Sequence, residues 1–148
     1  MKHGLFVLLF AAIFMLMEVE GNGCGCGYNY ANKATDGPAP GARRLASYFK
    51  KRYGGRTEIY NNRPVRGGKN LSLHAEGRAV DIYLAGNNGR RAFDHAVSIA
   101  CAHGIQEVIF NRRIWTANGG EHHYSGSNPH TDHVHIGLNR CGARNFGA

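Results

Sequence analysis

The sequence predicts an α+β domain: a small antiparallel sheet with flanking helices. Residues 79–84 and 133–138 alternate apolar and other residues with period two, the pattern of half-buried strands. Residues 41–53 and 90–103 instead repeat apolar residues at helical spacing. Helices and strands mix without a regular βαβ alternation, which makes the class α+β. At 148 residues, one domain is expected.

Residues 1–21 stand apart from that domain. A short basic start (Met1, Lys2, His3) precedes a nearly continuous apolar run over 5–17, followed by the small residues Gly21 and Gly23. This is the layout of a secretory signal peptide, with cleavage expected after Gly21 or Gly23. The run is shorter than the ~20 residues of a membrane span, and no second apolar run follows. A secreted, extracellular and monomeric protein is the expectation.

Residues 22–40 are rich in Gly, Asn and Pro and read as an irregular lead-in; 41–148 form the domain. In the first helix Ala42, Leu45, Ala46 and Phe49 share a face, and Gly54-Gly55 ends it. Residues 57–60 make a short strand, and 61–70 a basic loop. In 79–84, Val80, Ile82 and Leu84 are expected to face the core, with Ala79, Asp81 and Tyr83 opposite. Residues 86–89 read as a turn. The helix over 90–103 buries Phe93, Val97, Ala100 and Cys101, and Gly104 lies just past its end. Residues 107–111 form a strand and 116–129 a long polar loop. In 133–138, Val134, Ile136 and Leu138 share one face, and His133, His135 and Gly137 the other.

The formal net charge is +8, and +9 once residues 1–21, with Lys2, Glu18 and Glu20, are removed. Such a protein is drawn to anionic surfaces: nucleic acid, heparin-like glycans or bacterial walls. Charge does not choose among them, and it also serves plain solubility. The four cysteines, Cys24, Cys26, Cys101 and Cys141, lie beyond the signal and imply two disulfides. A Cys24–Cys26 bridge would close a very tight ring, so each is expected to reach Cys101 or Cys141. A cysteine metal site is the rival reading, but Cys24 and Cys26 are closer than the usual ligand spacing.

Strands 79–84 and 133–138 each turn metal-binding side chains away from their apolar face. If they are neighbours, Asp81 and His135 project from one surface. A turn at Gly77 would swing His74 over it. His74, Asp81 and His135 would then hold Zn²⁺, with water in the fourth position. Asp132 is the candidate proton shuttle. A regular strand would turn it away from His135, so Asp132 must lie in a loop or bulge. His133 shares the face of His135 and would hydrogen-bond an oxyanion or replace His135 as ligand. Arg63 and Arg66, in the basic loop, are placed to clamp a substrate carboxylate. Asp132, His133 and Arg63 are thus the candidate catalytic residues.

The stretch Ser72-x-His74-x-x-Gly77-x-Ala79-x-Asp81 resembles the S-x-H-x-x-G-x-A-x-D signature of the D-alanyl-D-alanine carboxypeptidase superfamily. That superfamily includes vancomycin-resistance peptidases and phage L-alanyl-D-glutamate endolysins, and Hedgehog signalling domains share its fold. The resemblance implies that fold, zinc held by His74, Asp81 and His135, and an acidic base three positions before the last histidine, which is Asp132. Many members carry Glu then Trp before the last ligand, where this chain has Asp132-His133-Val134. His133-x-His135 is instead similar to the H-x-H motif of lysostaphin-type peptidases. Residues 63–138 also resemble a group of secreted proteins with H-T-D-H-V-H near the C-terminus. With the full ten-residue pattern matched at its five specified positions, metal binding is favoured over a buried hydrogen-bonded pair for His74 and Asp81. Loop capping rivals the base role of Asp132.

Other residues are weighed on both sides. His130, next to Pro129, either supports the site or is a plain loop residue; His122 and His123 are read as solvated; His95 and His103 as ordinary helix residues; Glu76 and Arg78 as pairing with neighbours. Trp115 and Tyr124 either wall a substrate cleft or pack in the core. Asn70 begins a glycosylation sequon that overlaps the motif. The leading functional expectation is a secreted zinc peptidase or amidohydrolase acting on peptidoglycan stem peptides, with no specific nucleic-acid partner. The alternatives are a non-catalytic zinc-containing binding protein and a basic, disulfide-stabilised antimicrobial or toxin.

Overall fold

Helix α1 (Pro40–Tyr53) starts on a proline at its first position, where the ring presets the backbone and no amide is lost. It buries Gly41, Ala42, Leu45, Ala46 and Phe49 and places Lys50, Lys51 and Arg52 at its negative end. The amide of Gly54 closes it on the Lys50 carbonyl. The protein is described by a computed structural model over residues 23–147. The expected signal peptide lies outside these residues. Among the described residues no helix is long and apolar enough to cross a membrane.

The remaining elements are β1 (Thr57–Glu58), β2 (Ala79–Ile82), α2 (Gly86–Ser98), α3 (Ala100–His103), β3 (Ile105–Phe110), β4 (Arg113–Thr116), β5 (Gly120–His123), β6 (Val134–Leu138) and α4 (Arg140–Asn145). The strands form one six-stranded sheet in the order β1-β2-β6-β3-β4-β5, every described pair antiparallel. The α+β class and the antiparallel sheet are as the sequence predicts. Val80, Ile82, Val134, Ile136 and Leu138 face α1 and α2 and form the core with Leu45, Phe49 and Phe93. The opposite face of β2 and β6 is buried too, because residues 59–78 and the lead-in lie over it.

Four expectations are corrected. Residues 86–89 are the first turn of α2, not a free turn. The expected helix 90–103 is interrupted at Ile99, and Cys101 is exposed rather than on the buried stripe. The long loop 116–129 contains β5, paired along β4. The strand expected over 57–60 keeps strand pairing only at Thr57 and Glu58. Between β3 and β4, Asn111 and Arg112 both take positive φ (46° and 60°), the two-residue hairpin loop whose twist matches that of the strands.

Both disulfides join the lead-in to the domain, as expected: Cys24–Cys141 (Cα–Cα 5.3 Å) and Cys26–Cys101 (4.4 Å). They close loops of 117 and 75 residues of sequence separation. Bridges of that kind stabilise a small domain by roughly 2–4 kcal/mol each, chiefly by restricting the unfolded chain.

Candidate metal centre

The motif around His74 is a tight turn. The Ser72 hydroxyl and carbonyl accept from the amides of His74 and Ala75 (3.2 and 3.0 Å), and the His74 carbonyl accepts from Gly77 (3.1 Å). Gly77 has φ +70°, and a Cβ there would strike the Gly37 carbonyl of the lead-in. Both facts require glycine at this position. The reversal lays His74 over β2. There Asp81 sits directly across the ladder from His135 on β6.

The three side chains converge. His135 Nδ1 lies 2.8 Å from Asp81 Oδ1, His74 Nε2 lies 3.1 Å from the same oxygen, and the two nitrogens are 3.2 Å apart. Relative exposures are 2% for His74, 8% for Asp81 and 7% for His135. Tetrahedral ligands about 2.0–2.1 Å from a metal stand about 3.3 Å apart, so a shift of a few tenths of an ångström suffices. The outer nitrogen of each ring is already committed. His74 Nδ1 donates to the Ile59 carbonyl (2.9 Å), and His135 Nε2 donates to Glu107 Oε1 (3.0 Å). Each ring therefore turns its other nitrogen inward, the usual arrangement of ligating histidines. The group can hold a metal ion.

Without a cation, a proton on His135 Nδ1 bridges this cluster. Burial alone would lower the His135 pKa. Hydrogen bonds to Asp81 and Glu107, with their charges, outweigh burial and push it up to about 10. Burial likewise raises the Asp81 carboxyl, but His135 and His74 outweigh it and hold it well below the usual carboxylate range. Unfolded histidine titrates near 6.5. The His135 contribution to stability is therefore complete below pH ~6.5 and is lost as pH rises through about 10. Chemical denaturation of the metal-free protein at pH 6, 8 and 10 should show stability falling by an amount on the order of a few kcal/mol across that window. A flat profile would contradict the bridging proton.

The centre opens into a cleft of about 330 Å³. Arg63 and Arg66 line it; Arg63 is half-buried, with its Nε hydrogen free of any partner, and Arg66 is exposed. His133 also lines it. Its Nδ1 donates to Asp132 Oδ1 (2.6 Å), leaving Nε2 3.9 Å from Asp81 Oδ2. The Asp132 side chain is 72% exposed and is not among the residues lining the cleft. His130 takes φ +54° and packs 4.7 Å from the His133 ring. Burial, then the charges of His135 and His133, lower its pKa to about 3. Tyr124 lines the cleft, whereas Trp115 packs against the core. Asn70 stands at the cleft's edge. His122 and His123 are exposed on β5.

Two participants escaped the sequence reading. Glu107 reaches His135 from β3, and Tyr28 of the lead-in donates to Glu107 Oε2 (2.7 Å). Burial and the Glu107 charge push the Tyr28 phenol up, so it stays a donor. A lone carboxylate inside the apolar run 105–110 is the signal that could have marked Glu107. Room for it comes from Gly137, where a Cβ would meet Glu107 Cγ at 2.8 Å.

Fold and centre together define a disulfide-bonded α+β domain built around a buried two-histidine, one-aspartate group. The chain belongs to the family described as VldE, C-terminal domain, which matches residues 34–135. No curated protein and no solved structure matches it.

Proposed function

We propose that the protein is a secreted, zinc-dependent peptidase or amidohydrolase whose substrate is a peptidoglycan stem peptide. The observation that carries the reading is the convergence of His74 Nε2, Asp81 Oδ1 and His135 Nδ1, with both outer imidazole nitrogens already bonded. Two nitrogens and one oxygen suit Zn²⁺ and leave one position for water. Zinc held there would supply an acidified water and polarise a carbonyl. Secretion is supported by the signal-like start and the two disulfides. The substrate class is supported by the resemblance of residues 72–81 to the carboxypeptidase signature and by the net positive charge.

Proton transfer falls to His133. Its Nδ1–H is fixed by Asp132, so Nε2 faces the cleft with a free lone pair. There it takes a proton from the attacking water and returns it to the leaving amine. Asp132 holds the ring and its tautomer, a different task from direct proton shuttling. Arg63 lines the cleft, and its guanidinium would clamp a substrate carboxylate there.

The test is hydrolysis of purified peptidoglycan and of D-alanyl dipeptides by zinc-loaded protein, followed by release of free amine. His133→Ala should retain zinc and slow turnover by about 10²–10⁴-fold. Zinc-loaded wild-type protein that leaves both substrates intact would overturn the hydrolase reading and favour a binding protein that keeps its metal.

A further inference from the structure

The lead-in is Gly-rich and irregular, yet the structure fastens it at nearly every residue from Cys24 to Tyr30. Two disulfides anchor it. Asn139 Nδ2 donates to the carbonyls of Gly25 and Gly27 (3.3 and 3.2 Å). The Asn29 amide donates to Gln106 Oε1 (3.0 Å), and its carbonyl accepts from Arg78 Nη2 (2.5 Å) and Gln106 Nε2 (3.2 Å). Asn29 Oδ1 accepts from the Arg140 amide (2.9 Å). This fastening sets the Tyr28 hydroxyl 2.7 Å from Glu107 Oε2, while Oε1 of the same carboxylate receives His135 Nε2.

Glu107 reaches across Gly137, which has no side chain to brace it. Leu73 Cδ1 lies over the same glycine, and each carboxylate oxygen has its own hydrogen-bond partner. With Tyr28 on one and His135 on the other, the carboxylate plane is fixed, and with it the plane of the imidazole. Tyr28 lies outside the residues that match the family, 34–135.

We infer that Tyr28 is a positioning residue for the metal centre: its hydroxyl fixes the Glu107 carboxylate, which aims His135 Nδ1 at the cation, and the disulfides hold Tyr28 in place. The inference rests on reading His74, Asp81 and His135 as metal ligands. It extends the centre beyond its ligands to a third layer of residues, covalently tied to α3 and α4.

The experiment measures Zn²⁺ affinity by competition with a chromogenic chelator, and the absorption spectrum of the Co²⁺-loaded protein. The proteins compared are wild type, Tyr28→Phe, Glu107→Gln and the double variant. Glu107→Gln should weaken Zn²⁺ about 10–100-fold, the usual cost of losing a carboxylate behind a ligating histidine. Tyr28→Phe keeps the ring and should weaken it less, roughly 3–10-fold, with a shift of the Co²⁺ bands. In the Glu107→Gln background the tyrosine change should add almost nothing. Tyr28→Phe with wild-type affinity and an unaltered Co²⁺ spectrum overturns the inference, as does equal weakening in both backgrounds. Wild-type protein that binds neither ion overturns the metal reading itself.

Discussion

His74→Ala is expected to lose stoichiometric zinc, with affinity falling at least about 100-fold. Removing the outer support of a ligating histidine already costs ~10–100-fold, and removing the ligand itself must cost more. The loss is compounded by what remains. Asp81 Oδ1 and His135 Nδ1, 2.8 Å apart, are satisfied by one shared proton, so the cation must displace that proton with one donor fewer. Metal content after dialysis, compared with wild type, decides the matter. A variant that retains one zinc per chain would show that His74 is only a buried hydrogen-bonding residue. Asp81→Ala should behave alike, since its carboxylate is the group's only anion within direct reach.

Arg78→Met is expected to be the most destabilising substitution that touches no ligand. Arg78 is 1% exposed, among the largest fully buried side chains described. Its guanidinium donates to Gln106 Oε1 (3.1 Å), the Leu138 carbonyl (2.5 Å), the Asn29 carbonyl (2.5 Å) and Glu76 Oε2 (3.0 Å). It therefore ties together the motif, the end of β6, the start of β3 and the lead-in. Methionine matches its length but leaves Glu76 to Arg140 alone, takes a donor from the Leu138 carbonyl, and leaves the Asn29 carbonyl to Gln106 Nε2 alone. Removing a charged donor from buried acceptors costs roughly 1.5–3 kcal/mol. Urea unfolding with the disulfides intact measures this directly, and a loss under ~1 kcal/mol would refute the account.

The residues that make the centre were legible where local pattern sufficed. Strict alternation in β2 and β6 fixed which side Asp81 and His135 take, and the His74-to-Gly77 spacing announced the turn. What escaped depends on partners distant in the chain. The residues Gly86-Asn87-Asn88-Gly89 carry every mark of a turn, yet they begin α2. Gly89 sits beneath the Phe110 ring, where any side chain would collide, so packing overrides poor helix propensity. Strand β5 has no apolar alternation at all: Gly120, Glu121, His122 and His123 are exposed, and its register comes from pairing with β4 and from the Arg113–Glu121 ion pair. The Glu107 contact follows from β3 lying beside β6, a neighbourhood that spacing alone does not reveal. Asp132 sits at the expected distance in sequence from His135, but the chain turns its carboxylate outward, onto His133.

The bridge from Cys24 to Cys141 has one more effect, on survival rather than on shape. It closes almost the whole described chain into a covalent ring. The exposed tip at residues 65–70 is where a protease would cut first. One such nick opens the ring without shedding a fragment, and the severed halves stay bound to each other until a reductant arrives.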